Sequence, residues 1–204
     1  DTNQPLSAVF DLAIDADNNR LLVTEDEDTA PSIIGVDLTT GARTLVSSDS
    51  VPSADNPFTA PEGIVIDAAS NRALIVDSNV NPSYLSSVLA VDLDTGSRSL
   101  LSNNGTPDNT NLFADPSVLV LDSDHNRAFV ADGLNRQVLQ LELATGARTI
   151  VSGDPVGGGD NPLGSWLSGI AYDAGRDVVY VVDTEAAAVL AVDAETGQRI
   201  YLLH

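Results

Sequence analysis

Cysteine is absent from the 204 residues. That excludes disulfides, thiolate zinc sites and a cysteine nucleophile together, and a domain of this length does not need covalent staples. Methionine is absent too and the chain starts at Asp1, so it reads as a processed mature protein or as an excerpt of a longer one. No apolar run approaches the roughly 20 residues of a membrane helix, and no basic-then-apolar leader opens the sequence. Lysine is also missing. Nine arginines face 30 acidic residues, a formal charge of −21. Such a surface repels a phosphate backbone and an anionic bilayer, which sets nucleic acid and membrane insertion aside. Three readings of the charge stay open: solubility, a halophilic adaptation in which salt screens self-repulsion, and cation binding. Histidine is limited to His125 and His204, no Gly-x-Ser-x-Gly elbow occurs, and Gly157-Gly158-Gly159 lacks the Lys of a phosphate loop.

What the chain does contain is an internal repeat. Thr-Gly recurs at Thr40-Gly41, Thr95-Gly96, Thr145-Gly146 and Thr196-Gly197. An arginine follows two positions after each glycine: Arg43, Arg98, Arg148 and Arg199. Upstream, Leu12 to Asp15, Ile64 to Asp67, Leu119 to Asp122 and Ile170 to Asp173 also match. The repeats run approximately over 8–60, 61–115, 116–166 and 167–204, within a single domain or segment of 1–204. Each holds four short apolar runs separated by polar turn residues; in the second they are 63–67, 73–77, 88–92 and 98–102. Sustained helical periodicity is missing throughout. The first run of each repeat is apolar on both faces, the mark of a strand covered on both sides. Stacking such meanders about an axis gives an all-β fold, a β-propeller built from four-stranded antiparallel blades, with four blades in this chain. The innermost strands are expected near 11–15, 63–67, 118–122 and 169–173.

Pro61-Glu62-Gly63-Ile64-Val65-Ile66-Asp67, followed by Asn71-Arg72-Ala73-Leu74-Ile75-Val76-Asp77, resembles the NHL repeat. Pro116 to Asp132 and Leu167 to Asp183 repeat the pattern with losses. The resemblance implies a propeller superfamily that includes binding modules, gluconolactonase-type lactonases and lyases similar to virginiamycin B lyase.

Carboxylates fall into columns: Asp15, Asp67, Asp122 and Asp173 end first strands; Glu25, Asp77, Asp132 and Asp183 end second strands; Asp37, Asp92, Glu142 and Asp193 end third strands. An acid present in every blade reads as a turn cap. Strand direction alternates, so second-strand ends share an end of the blade with first-strand starts, at Asp11, Glu62, Ser117 and Ser168, which are expected to surround the axis as a ligand-binding ring. Oxygen ligands there suit Ca²⁺ or Mg²⁺, with Glu62, Asp77, Asp132 and Asp183 as candidate metal ligands. Gluconolactonase-type propellers hold a metal at this place, and the resemblance assigns their Glu to Glu62. Asp15 to Asn19 and Asp122 to Asn126 open like calcium loops but lack the rest of that motif and read as hairpin turns. His125 is expected at the opposite end from the first-strand starts, Trp166 lining a pocket or, in preference, packed between blades, and Asn104-Gly105-Thr106 fits a glycosylation acceptor.

Two functions follow. One is a non-catalytic binding or assembly module, secreted, periplasmic or on a cell surface, that takes a protein or small-molecule ligand. The other is a metal-dependent lactonase or hydrolase with an axial Ca²⁺ or Mg²⁺. Four blades with no strand left over to clasp a ring favour self-association or further blades completing it over four blades closing alone.

Overall fold

The computed structural model describes residues 6–26, 30–78, 86–154, 156–157 and 161–203. Gly158, Gly159 and His204 lie outside them. The described residues form sixteen strands in four antiparallel sheets, each a meander of four consecutive strands. Blade one is β1 (Val9–Asp15), β2 (Arg20–Glu25), β3 (Ser32–Asp37) and β4 (Arg43–Ser48). Blade two is β5 (Pro61–Asp67), β6 (Arg72–Asp77), β7 (Ser87–Asp92) and β8 (Arg98–Asn103). Blade three is β9 (Pro116–Asp122), β10 (Arg127–Asp132), β11 (Gln137–Glu142) and β12 (Arg148–Ser152). Blade four is β13 (Leu167–Asp173), β14 (Val178–Asp183), β15 (Ala188–Asp193) and β16 (Arg199–Leu203). The only helical residues described are a three-residue 3-10 turn, Ala68–Ser70.

The turns explain the repeat. Gly41, Gly96, Gly146 and Gly197 have φ between 71° and 74°, a conformation that costs a side chain strain and glycine none. In the first hairpins Asn19, Asn71 and Asn126 take the left-handed position instead, and the segments read as partial calcium loops are these hairpin turns. Each first strand carries a register shift near its start, at Val9/Leu12, Pro61/Ile64, Leu167/Gly169 and opposite Ala131/Asp132. These bulges set Phe10, not Asp11, at the place of Glu62, Ser117 and Ser168: Val9, Pro61, Pro116 and Leu167 are the partners of Glu25, Asp77, Asp132 and Asp183.

The chain divides into two units, 1–101 and 102–204, a boundary that falls within β8. In the first, β1 packs on β5, and a core closes between Leu22 and Ile33 of blade one and Ile64, Ala73, Ile75, Leu89 and Val91 of blade two. In the second, β9 packs on β13. There Phe129, Val138 and Val151 of blade three meet Val179, Val181, Leu190 and Val192 of blade four. In both units the first strands of neighbouring blades meet, and the second strand of one blade also reaches the first strand of the next.

Candidate binding face at the start of the first strands

The second-strand acids are buried and occupied. Asp132 and Asp183 have no exposure, Asp77 is 2% exposed and Glu25 6%. Each receives the loop that leads into its own blade. Asp77 accepts from the amides of Thr59 (2.9 Å) and Ala60 (2.7 Å). Asp132 accepts from the amides of Ala114 (3.0 Å) and Asp115 (2.8 Å), and from Asn135 Nδ2 and Gln137 Nε2. Asp183 accepts from the amides of Gly164 (2.6 Å) and Ala186 (2.9 Å). Glu25 accepts from the Ser7 amide and the Ser32 hydroxyl. A carboxylate can replace water only where donors converge, and here main-chain amides supply most of them. For Asp77 they do not suffice: burial pushes its pKa up to about 6 against the pull of the Ala60 and Thr59 amides.

Some residues at and beside the strand starts brace neighbouring blades, and others bond within their own blade. Asp11 Oδ2 accepts from the Ile64 amide at 3.0 Å, and Thr24 donates to the Glu62 carbonyl at 2.6 Å. Ser117 donates to the Leu167 carbonyl at 2.7 Å. Ser168 shares a hydrogen bond with Thr184, and Ser165 binds Glu185 through both amide and hydroxyl. Trp166 stands beside them 67% exposed; it does not pack between blades. Among the described residues no three His, Asp or Glu side chains gather closely enough to hold an ion. His125 pairs with Asp122 in the turn after β9, at the other end of the blade. The Asn104 amide both donates to the Phe113 carbonyl and accepts from its amide, so it is spent on closing a loop.

The other columns serve the fold. Asp15, Asp67 and Asp122 form ion pairs with Arg20, Arg72 and Arg127 at 2.6–2.8 Å. A five-residue Asp-to-Arg spacing signals this pair; Val178 breaks it in blade four. Asp37, Asp92 and Asp193 each accept from the hydroxyl and amide of a threonine three residues on, and these bonds, the hydroxyl first, hold their pKa values below the usual carboxylate range.

A further device escaped the residue pattern. Arg98, Arg148 and Arg199 reach back into the loop that follows the fourth strand of the preceding repeat. Arg148 donates to Ser102 Oγ and to the carbonyls of Asn103 (2.7 Å), Asp108 (3.1 Å), Thr110 (2.9 Å) and Asn111 (2.9 Å). Its guanidinium lies 4.9 Å from the Phe113 ring centroid. Arg98 makes the corresponding contacts with Ser47, Ser48, Ser53, Asp55 and Asn56, over Phe58. Arg199 does so with Ser152, Val156 and Asn161. The serine in turn donates to the turn glycine: Ser47 to Gly96, Ser102 to Gly146 and Ser152 to Gly197. Thr-Gly-x-Arg is thus one half of a clasp between repeats, and the fourth-strand serine with its loop is the other half.

No family model and no curated protein matches the chain. Solved structures do. A crystal structure of a nidogen/laminin complex contains a chain matched with a TM-score of 0.75 at 20% identity, over 98% of this chain and 66% of that one. A structural-genomics protein of unknown function from Bacteroides thetaiotaomicron matches with a TM-score of 0.71 at 13% identity, over 98% and 44%. This chain therefore spans about two thirds of the first and under half of the second. At these identities the likeness establishes the fold, a β-propeller of four-stranded blades.

Proposed function

We propose that this chain is a non-catalytic β-propeller binding module that acts outside the cytoplasm and offers the end of its blades where the first strands start to a protein or small-molecule partner. The supporting observation is what the acids at that end do. Asp77, Asp132 and Asp183 are committed to main-chain amides of their own blades, and Asp11 and Ser117 brace blades together. The groups left facing solvent are suited to contact: Trp166, an aromatic surface of the kind that anchors interfaces, beside Ser168, Thr184 and Glu185. The nidogen/laminin structure offers a precedent of the same fold solved in a protein complex. No helix among the described residues is long and apolar enough to cross a membrane.

The competing reading is a lactonase with a Ca²⁺ or Mg²⁺ held at Glu62. Sugar lactones incubated with the chain and either ion should hydrolyse at the buffer rate, and chelation should leave the unfolding midpoint unchanged. A metal-dependent rate that disappears in Glu62→Gln would replace the binding reading with the enzyme. On the binding side, extracellular glycoproteins and glycans presented to the immobilised chain should yield a ligand whose affinity falls about tenfold or more in Trp166→Ala.

A further inference from the structure

In the second unit the turn between β10 and β11, the loop into blade four and the turn between β14 and β15 enclose a hollow of about 230 Å³. It lies at the end of the blades where the first strands start, beside Trp166. Leu163, which is buried, and Tyr201 of β16 give it an apolar floor. Tyr201 packs into the core shared by blades three and four, and its hydroxyl donates to the Pro162 carbonyl at 3.1 Å. Arg136 and Glu185 stand exposed at the rim.

The hollow occurs where blade four departs from the repeat. Leu163 stands where Phe58 and Phe113 lie under the clasp arginines, and Gly164 where Thr59 and Ala114 lie. The smaller pair leaves room, and an aromatic ring returns from another strand: Tyr201 takes the place of Leu45 and Ile150. The loop is also one residue longer. Five residues, 162–166, separate Asn161 from β13, against the four of 57–60 and 112–115. The longer loop brings Ser165 to Glu185, which accepts from its amide at 2.6 Å and its hydroxyl at 2.7 Å. Those two bonds fix the carboxylate as one wall.

Arg136 is the other wall. Arg20, Arg72, Arg127 and Arg176 pair with aspartates, and Arg98, Arg148 and Arg199 bind loop carbonyls. The Arg136 guanidinium makes no hydrogen bond or ion pair among the described residues. Its main chain is held in a turn, with φ at 51° and its amide bonded to the Gly133 carbonyl at 2.8 Å. The Ser165 amide and hydroxyl hold the Glu185 carboxyl below the usual carboxylate range, and Arg136 adds a smaller pull. The two charges thus feel each other across the hollow without closing it.

We infer that this hollow binds one neutral sugar residue; resting on the binding reading above, the site gives that module a glycan ligand. A guanidinium only donates and a carboxylate only accepts, so a group set between them must do both, as sugar hydroxyls do. The floor of Tyr201 and Leu163 suits the carbon face of a pyranose ring. A carboxylate ligand would satisfy Arg136 but meet Glu185 and the charge of −21, and an ammonium would meet Arg136. A zwitterion would gain little from two charges so exposed. The volume is below the roughly 300 Å³ at which sites for drug-sized ligands begin, which fits a single ring. Trp166, next to Ser165, extends the surface towards a following residue of the glycan. Because the ligand is neutral, its affinity does not depend on salt.

The test is amide NMR of the full chain with methyl glucoside, methyl galactoside and methyl mannoside, each raised to about 50 mM, above the millimolar dissociation constants that so few ligand atoms allow. At least one should shift the amides of Gly164, Glu185 and Ala186 saturably, along the same curve in about 0.05 M and about 1 M NaCl. Two variants locate the site: Arg136→Gly, which suits the left-handed turn, and Tyr201→Leu, the residue that blade one carries at this place. Each should leave the amide spectrum unchanged away from the hollow and weaken binding about tenfold or more. No saturable shift with any of the three sugars overturns the inference. So does tighter binding of glucuronate or glycine, and so does binding indifferent to both substitutions. A protein partner that needs Trp166 while the hollow takes no sugar would leave the binding module standing and overturn only this site. A sugar held in the hollow while Trp166→Ala affects no partner would support the site and remove the Trp166 interface instead.

Discussion

Asp77 is a carboxylate whose surroundings are at odds with its charge. It ends β6 at 2% exposure, and burial lifts its pKa to about 6 from 3.8. A folded pKa above the unfolded one means that the stability this group contributes is fully present below the unfolded value and is lost as pH rises through about 6. By linkage the loss at pH above that range is on the order of 3 kcal/mol. Asp77→Asn keeps an acceptor for the Thr59 and Ala60 amides and removes the charge. Its urea midpoint should exceed the parent's at alkaline pH, with the gap closing towards about pH 4. A difference that does not vary with pH would show that Asp77 does not titrate in this window. The sequence placed Asp77 in its column and at the correct end of its strand. Its burial was not legible, because the donors are amides 17 and 18 residues upstream, and an amide leaves no mark on residue identity.

Elements marked by side chains are readable in the sequence, and those made by main-chain groups are not. Strand positions were legible because apolar runs end in an acid and turns carry Thr-Gly or Asn, each a side-chain signature. The placement of the ring residues slipped by one in blade one, where the bulge between Val9 and Leu12 puts Phe10 in place of Asp11; a bulge changes the pairing count without changing composition. The arginine column was plain at its fixed distance from the glycine, but its purpose was hidden, since most of its acceptors are carbonyls that any residue provides. Arg148 is 4% exposed and gives its guanidinium to five carbonyls and a serine. Removing it leaves those acceptors unpaired in a closed loop, so Arg148→Ala should cost about 3 kcal/mol or more. Arg148→Lys should recover little, because an ammonium cannot bond in the plane of a fork or stack on Phe113. Chemical denaturation of the three proteins checks the order; a lysine variant equal to the parent would reduce the clasp to a simple charge effect. Gly96→Ala should be damaging for a separate reason, because the added methyl meets the Val46 carbonyl at 2.0 Å.

At the scale of the molecule, charge sets the conditions under which the blades hold together. Most arginines are committed: Arg20, Arg72 and Arg127 to their own Asp partners, and Arg98, Arg148 and Arg199 to loop carbonyls. With no lysine, few cations face the exposed acids. Asp37, Asp92 and Asp193, held ionised by threonine bonds, add to the uncompensated surface. Self-repulsion across such a surface extends over about 30 Å in 0.01 M salt and about 3 Å in 1 M. The unfolding midpoint should therefore rise with NaCl. Measured at a dilution where the mass is that of a single chain, the rise reports the fold and not association. Screening also dictates the shape of the curve. Most of the gain should come below about 0.2 M, where the screening length shrinks fastest, with little added near 1 M. A midpoint that climbs steadily into the molar range would point instead to exclusion of salt from apolar surface, and a flat one would mean that the charge of −21 does not strain the fold at all.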